Sequence, residues 1–133
     1  MSDPTTLGDL QLAIMRVLWA RGEASASEVH AALLAERGLA PTTIATMLRK
    51  MEDKGVVRHR AEGRQFVYRP AVEERAVRRG MVGELVERLF LGDPAALVNH
   101  LLSDGQIDPD ELEALKELIA GRERRAQGGS GRG

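Results

Sequence analysis

The stretch Pro41-Thr42-Thr43-Ile44-Ala45-Thr46-Met47-Leu48-Arg49-Lys50-Met51, with the strand-like Val56-Val57-Arg58-His59-Arg60 and Gln65-Phe66-Val67-Tyr68-Arg69 behind it, decides the fold. Apolar residues recur at helical spacing through Ile44, Met47, Leu48 and Met51. Pro41 suits a first turn, because its missing N–H has no partner to lose there. Lys54-Gly55 closes this helix with a cation and a left-handed stop. The period then changes to two, which predicts two strands. Between them, Ala61-Glu62-Gly63-Arg64 reads as a hairpin loop with glycine at the turn, and Pro70 ends the second strand.

Toward the N-terminus, Leu10, Ile14, Val17 and Leu18 predict a helix from about Gly8 to Arg21, ended by Gly22. Trp19 beside that stripe is a large anchor for the core or for a second domain. Ser25 followed three residues later by Glu28 is a capping-box pattern. It opens a second helix with Val29, Ala32 and Leu33 inward, stopped at Arg37-Gly38. The order helix, helix, helix, hairpin in about 65 residues is that of a winged helix-turn-helix. Toward the C-terminus the chain reads as helical again. A fourth helix spans about Val72 to Leu91, a fifth starts at Asp93-Pro94, and a last one runs from Asp108-Pro109 to about Arg124. The expected class is therefore mainly α with a small β-hairpin. Residues 1–71 form a winged-helix domain, 72–125 a helical dimerisation domain and 126–133 a disordered tail.

The chain has 133 residues, 43% hydrophobic and 29% charged, a composition of folded rather than disordered chains. It has no cysteine, which excludes disulfides, thiolate metal sites and thiol catalysis. No apolar run approaches the roughly 20 residues of a membrane span, and the start does not resemble a signal peptide, so a cytoplasmic location is expected. The net charge of −1 hides an asymmetry. Residues 41–80 hold 10 basic and 5 acidic residues, whereas 81–120 hold 2 basic and 9 acidic. Nucleic acid responds to the local potential, so the basic block stays compatible with DNA. By itself it is equally a solvated face.

The helix at 41–54 presents Thr42, Thr43, Thr46, Arg49 and Lys50 opposite its apolar side. Threonine can hydrogen-bond a base or phosphate and pack its methyl on thymine, and the first turns of a recognition helix meet the bases. Threonines near a helix start are equally often caps or filler. Arg58, Arg60 and Arg64 around a glycine-containing tip fit a wing that grips phosphates. Tyr68 reads either as a half-buried strand residue or as a phosphate contact.

In the fourth helix Val77, Met81, Leu85 and Leu89 form one stripe, with Val82, Val86 and Phe90 beside it. Leu97, Val98, Leu101, Leu102, Leu112, Leu115, Leu118 and Ile119 follow. Some 50 residues make a marginal core alone. A second copy would cover this surface, with packing on the first domain as the alternative. Gly80 and Gly83 mark either a close helix approach or a bend.

The strings Pro41-Thr42-Thr43-Ile44-Ala45-Thr46-Met47-Leu48 and Gly63-Arg64-Gln65-Phe66-Val67-Tyr68-Arg69-Pro70, with Leu7-Gly8-Asp9-Leu10, Ile14-Met15, Leu18-Trp19, Val29-His30, Leu33 and Lys54-Gly55, resemble the penicillinase-repressor (BlaI/MecI/CopY) family. The likeness spans nearly all of residues 7–120. It implies a dimeric winged-helix repressor on a palindromic operator. In the β-lactamase branch of that family a membrane metalloprotease sensor triggers cleavage in the dimerisation region. The likeness of Leu97-Val98-Asn99-His100-Leu101-Leu102 to that site implies a scissile bond between Asn99 and His100, with His100 where the branch usually has an aromatic residue. The copper branch uses C-terminal cysteines, which this chain lacks.

Two other readings of the regulator stay open: control by a small ligand, haem or metal, and a protein-interaction adaptor that uses the same fold without DNA. An enzyme has little support. His30, His59 and His100 are scattered, no nucleophile–base–orienter spacing occurs and no phosphate-binding glycine loop is present. No cofactor and no catalytic or metal-ligating residue is expected.

Overall fold

A computed structural model describes residues 7–105 and 107–130. The elements are α1 (Asp9–Arg21), β1 (Ala24–Ser25), α2 (Ala26–Arg37), α3 (Pro41–Lys54), β2 (Val57–Glu62), β3 (Gln65–Pro70), α4 (Glu74–Phe90), α5 (Pro94–Ser103) and α6 (Pro109–Ser130). The chain divides into two compact units after Leu85.

In the first unit three helices pack on a three-stranded antiparallel sheet of order β1-β3-β2. Its core is aliphatic and sulfur-rich. Ile14, Met15 and Leu18 of α1, Val29 of α2, and Ile44, Leu48 and Met51 of α3 meet Val56 and Val57 there, each essentially without solvent exposure. Each such side chain contributes about 1.5–3 kcal/mol through burial.

The helix ends follow local chemistry. Ser25 Oγ accepts from the Glu28 amide at 3.2 Å, and a Glu28 carboxylate oxygen accepts from the Ser25 amide at 2.8 Å. That closes the capping box expected from the sequence. Ser25 also lies in β1, the short strand that the sequence reading missed. Two residues carry no alternation, and the strand exists because β3 offers it a second edge: Ala24 pairs with Tyr68 and Ser25 with Val67. At the end of α3, Gly55 adopts φ +90°, and the Val56 amide donates back to the Met51 carbonyl at 3.0 Å. A left-handed residue there turns the chain straight into the hairpin.

The hairpin is tighter than expected. Glu62 pairs with Gln65, so the loop is Gly63-Arg64, with Gly63 at φ +63°. The fourth helix starts at Glu74 rather than Val72, and the preceding segment is held by Trp19, whose indole Nε1 donates to the Val72 carbonyl at 3.0 Å. Trp19 is thus an anchor within the first unit. The first half of α4 belongs there as well. Val77 is 1% exposed in the winged-helix core and Met81 packs against it, so these two expected dimerisation residues serve the fold of the protomer. Their stripe continues unbroken into Leu85 and Leu89, which is why spacing alone did not separate core from open face. For the same reason the units divide inside α4 rather than at residue 71.

The second unit holds the end of α4, then α5 and α6. Asp93 caps α5 through the Ala95 amide at 3.0 Å, ahead of Pro94. Asp108 caps α6 through the Glu111 amide at 2.9 Å. Helix α6 continues to Ser130, past the Arg124 expected and into the segment expected to be disordered; residues 131–133 lie outside the described residues. Arg122-Glu123-Arg124-Arg125-Ala126-Gln127 is a run of good helix formers, which carries the helix on. Among the described hydrophobic residues of this unit only Val86 is buried.

Candidate nucleic-acid interface

Helix α3 sorts its side chains as its spacing requires. Ile44, Leu48 and Met51 are buried, while Thr42, Thr43, Thr46, Arg49 and Lys50 are exposed along the other side. The cap reading of the threonines does not hold. The N-cap is Ala40, with no side-chain capping bond, so Thr42 and Thr43 do no work at the helix start. Thr46 Oγ1 receives a long bond from Arg49 Nη2 at 3.4 Å. Hydroxyls and cations therefore share one solvent-facing strip whose reverse side is fixed in the core. A rigid helix with donors and acceptors along one face is what groove recognition needs.

The wing beside it is more differentiated than the sequence suggests. Directly paired residues of β2 and β3 share a sheet face, and alternate residues face opposite ways. His59 pairs with Tyr68 and Ala61 with Phe66 on the face toward α3; Arg58 pairs with Arg69 and Arg60 with Val67 on the other. Only Arg64 stands in the turn itself, exposed. Arg60 is committed elsewhere: its Nη2 lies 2.8 Å from a Glu23 carboxylate oxygen and 2.7 Å from one of Glu62. Tyr68 is 4% exposed and belongs to the core cluster, which favours the strand-residue alternative of the two considered above. Burial, with Glu52 nearby, raises its phenol above the ordinary range, against the opposing pull of Arg49. It stays a neutral donor.

Wing, α3 and the start of α2 enclose a cleft of about 250 Å³ lined by Ser27, Ala45, Arg49, Arg64, Phe66 and Tyr68. Ser27 and Phe66, half-exposed at 49%, were not among the sequence candidates. They lie far apart in sequence and only the fold brings them together. Two guanidinium groups, a hydroxyl and an aromatic face around a cleft of this size suit a sugar–phosphate segment.

The remaining candidates fall into place separately. His30 Nε2 lies 2.7 Å from the Leu39 carbonyl and braces the α2–α3 turn. A carbonyl only accepts, so this nitrogen carries the proton. Leu85, Leu89, Val98, Leu102, Leu118 and Ile119 are exposed, Leu118 at 64%. Phe90, Leu97, Leu101, Leu112 and Leu115 are half-buried. Asn99 and His100 are exposed within α5, with the His100 ring 5.9 Å from that of Phe90 and its Nε2 3.4 Å from Asp104. Among the described residues no cluster of His, Cys, Asp and Glu could hold a metal ion, and no helix is long and apolar enough to cross a membrane.

The family model described as penicillinase repressor matches residues 7–121. The transcriptional regulator BlaI of Mycobacterium tuberculosis (strain ATCC 25618 / H37Rv) is 37% identical over 122 residues, covering 90% of this chain and 87% of that one. The penicillinase repressor of Bacillus licheniformis is 28% identical over 113 residues, covering 85% and 88%. Among solved structures, the DNA binding domain of the repressor BlaI superposes with a TM-score of 0.51 at 34% identity, covering 57% of this chain and 93% of that domain.

Proposed function

The chain belongs to the penicillinase repressor family, and from that premise we propose that it is a homodimeric transcriptional repressor that binds a palindromic operator through α3 and the wing. The observation that carries the reading is the exposed strip Thr42, Thr43, Thr46, Arg49 and Lys50 on a helix whose other side is locked in the core. The threonines meet base edges, Arg49 and Lys50 meet phosphates or guanine, and Arg64 grips the backbone from the wing tip. The relatives' printed roles, repressor and transcriptional regulator, support the same assignment.

The second unit supplies the dimer. It buries Val86 and leaves Leu89, Leu118 and Ile119 open, a surface that a second copy would cover by two-fold symmetry. Two-fold symmetry in the protein requires an inverted repeat in the DNA. Cleavage between Asn99 and His100 by a membrane metalloprotease sensor would cut α5 itself, parting its first half from the segment that leads into α6, and release the operator. The exposure of both residues supports access, although the bond lies inside a helix that must unwind to enter a protease. The chain works on DNA in the cytoplasm and has no catalytic role of its own in this reading.

The test is selection of duplexes from a random-sequence pool with the full chain, followed by gel shifts at several salt concentrations. The expected product is an inverted repeat whose affinity falls steeply as salt rises. Binding that shows no sequence preference at moderate salt would overturn the proposal.

A further inference from the structure

Resting on that DNA-binding reading, we propose that Glu52 and His59 are positioning residues: a strut from the last turns of α3 to the wing that sets where Arg64 stands. His59 Nδ1 lies 2.7 and 2.8 Å from the two carboxylate oxygens of Glu52. A carboxylate accepts only, so Nδ1 carries the hydrogen and the tautomer is fixed. The same imidazole stacks on Phe66 with ring centres 4.1 Å apart and planes 26° from parallel, and leans on Tyr68 at 5.6 Å. One ring thereby joins α3, β2 and β3.

The position of the strut along the hairpin is informative. β1 supports β3 only at Val67 and Tyr68. Beyond those residues the wing is a two-stranded ribbon, which alone is marginally stable in water. Phe66 is adjacent to Gln65, whose partner across the turn is Glu62, so the stack ends at the root of the Gly63-Arg64 tip. The strut reaches the part of the wing that the sheet does not hold.

The charge of Glu52 makes the same point. A carboxylate on the recognition helix opposes a polyanion, so contact with DNA does not account for an acid there; its part-buried bond to His59 ties α3 to the wing.

The test uses full-chain Glu52→Ala, Glu52→Gln, Arg64→Ala and the double Glu52→Ala/Arg64→Ala, with circular-dichroism melting to establish that each is folded. The probe is the duplex selected by the wild-type chain. Removing an anion should by itself tighten DNA binding, so the sign separates the two explanations. Glu52→Ala is expected to weaken binding about fivefold, and Arg64→Ala to cost nothing further in that background. Glu52→Gln retains wild-type affinity or better, because its amide oxygen still accepts from Nδ1–H. Unchanged or tighter binding by Glu52→Ala, or an equal cost of Arg64→Ala in both backgrounds, overturns the strut while leaving the repressor reading standing. A wild-type chain that selects no sequence overturns the repressor reading and the strut with it.

Discussion

Arg60 of the wing is held by Glu23, 37 positions earlier, through a 2.8 Å contact between guanidinium and carboxylate. Glu62 closes on the same nitrogen at 2.7 Å. The arginine that looked like one of three equivalent phosphate contacts therefore carries its own counter-charges, whereas the turn arginine, Arg64, is exposed.

The two arginines should behave differently on substitution. Arg60→Ala is expected to leave operator affinity within about twofold, because its charge is already neutralised and an exposed pair is worth only about 0–1 kcal/mol. Arg64→Ala should weaken binding to all sequences and lower the slope of log affinity against log salt by about 1. Salt titrations of gel shifts measure both. An Arg60 variant with the larger slope change would reverse the assignment.

On α3, Thr46 and Lys50 are expected to separate specificity from affinity. Thr46→Ala should cost about 1–3 kcal/mol against the preferred duplex and little against scrambled DNA. Lys50→Ala should lower both alike if its contact is to phosphate. Competition between selected and scrambled duplexes reads the difference directly. Equal losses for Thr46→Ala on both would remove that residue from base recognition.

What spacing could and could not reveal follows from the range of each interaction. The buried and exposed sides of α3 were legible because a helix repeats every 3.6 residues, and Ile44, Leu48 and Met51 keep that beat. The hairpin was legible from the change to a period of two, and the cap of α2 from Ser25 and Glu28 three residues apart. The strand at Ala24–Ser25 was hidden, since two residues have no period. Arg60 with Glu23, and His59 with Glu52, join different elements and become neighbours only when the sheet closes on α3. Val77 and Leu89 share one stripe, and periodicity names the face without naming what covers it. The cleft at the wing combines α2, α3 and β3, so Ser27 carried no sequence signal and Phe66 stood out only as part of a strand, not as part of a site.

Glu28 gives stability a pH dependence of known sign. Its carboxyl is held below the ordinary carboxylate range, first by the Ser25 amide that it accepts from, then by the Ser25 hydroxyl, with Arg21 adding to the effect. A lowered folded-state value means that the unfolded chain binds the proton more readily. The contribution is full above the unfolded value, about 4.3, and is lost as pH falls through the folded one. Glu28→Gln should therefore lower the melting temperature near neutral pH and narrow its gap to wild type below about pH 4. Melting curves across pH 3–7 check this, and a gap that does not shrink in acid would show that the carboxylate's charge plays no part.

Gly83 lies within α4, and among the described residues a Cβ built there meets nothing within 4 Å. If the residue is free in the dimer too, Gly83→Ala should stabilise α4 by roughly 1 kcal/mol. If a partner helix crosses there, the same substitution should weaken dimerisation instead. Thermal melting together with sedimentation at several concentrations distinguishes these, and a variant that changes neither would leave the glycine without a structural role.

The second unit makes the strongest demand on assembly. Leu118 is 64% exposed and Ile119 49% exposed on α6, and Leu89 is 69% exposed on α4. Burying a leucine fully is worth about 1.5–3 kcal/mol, so a handful of such side chains at one interface can hold a dimer, and one carboxylate placed among them can undo it. Leu118→Glu is expected to yield a monomer by analytical ultracentrifugation. The winged-helix unit should keep its fold, because its core of Ile14, Leu18, Leu48 and Val77 contains no residue of α6. Operator affinity should then fall far more than for half-site DNA, since the two half-sites no longer share one ligand and the gain from linked binding disappears. A Leu118→Glu chain that remains dimeric would move the interface off this face of α6.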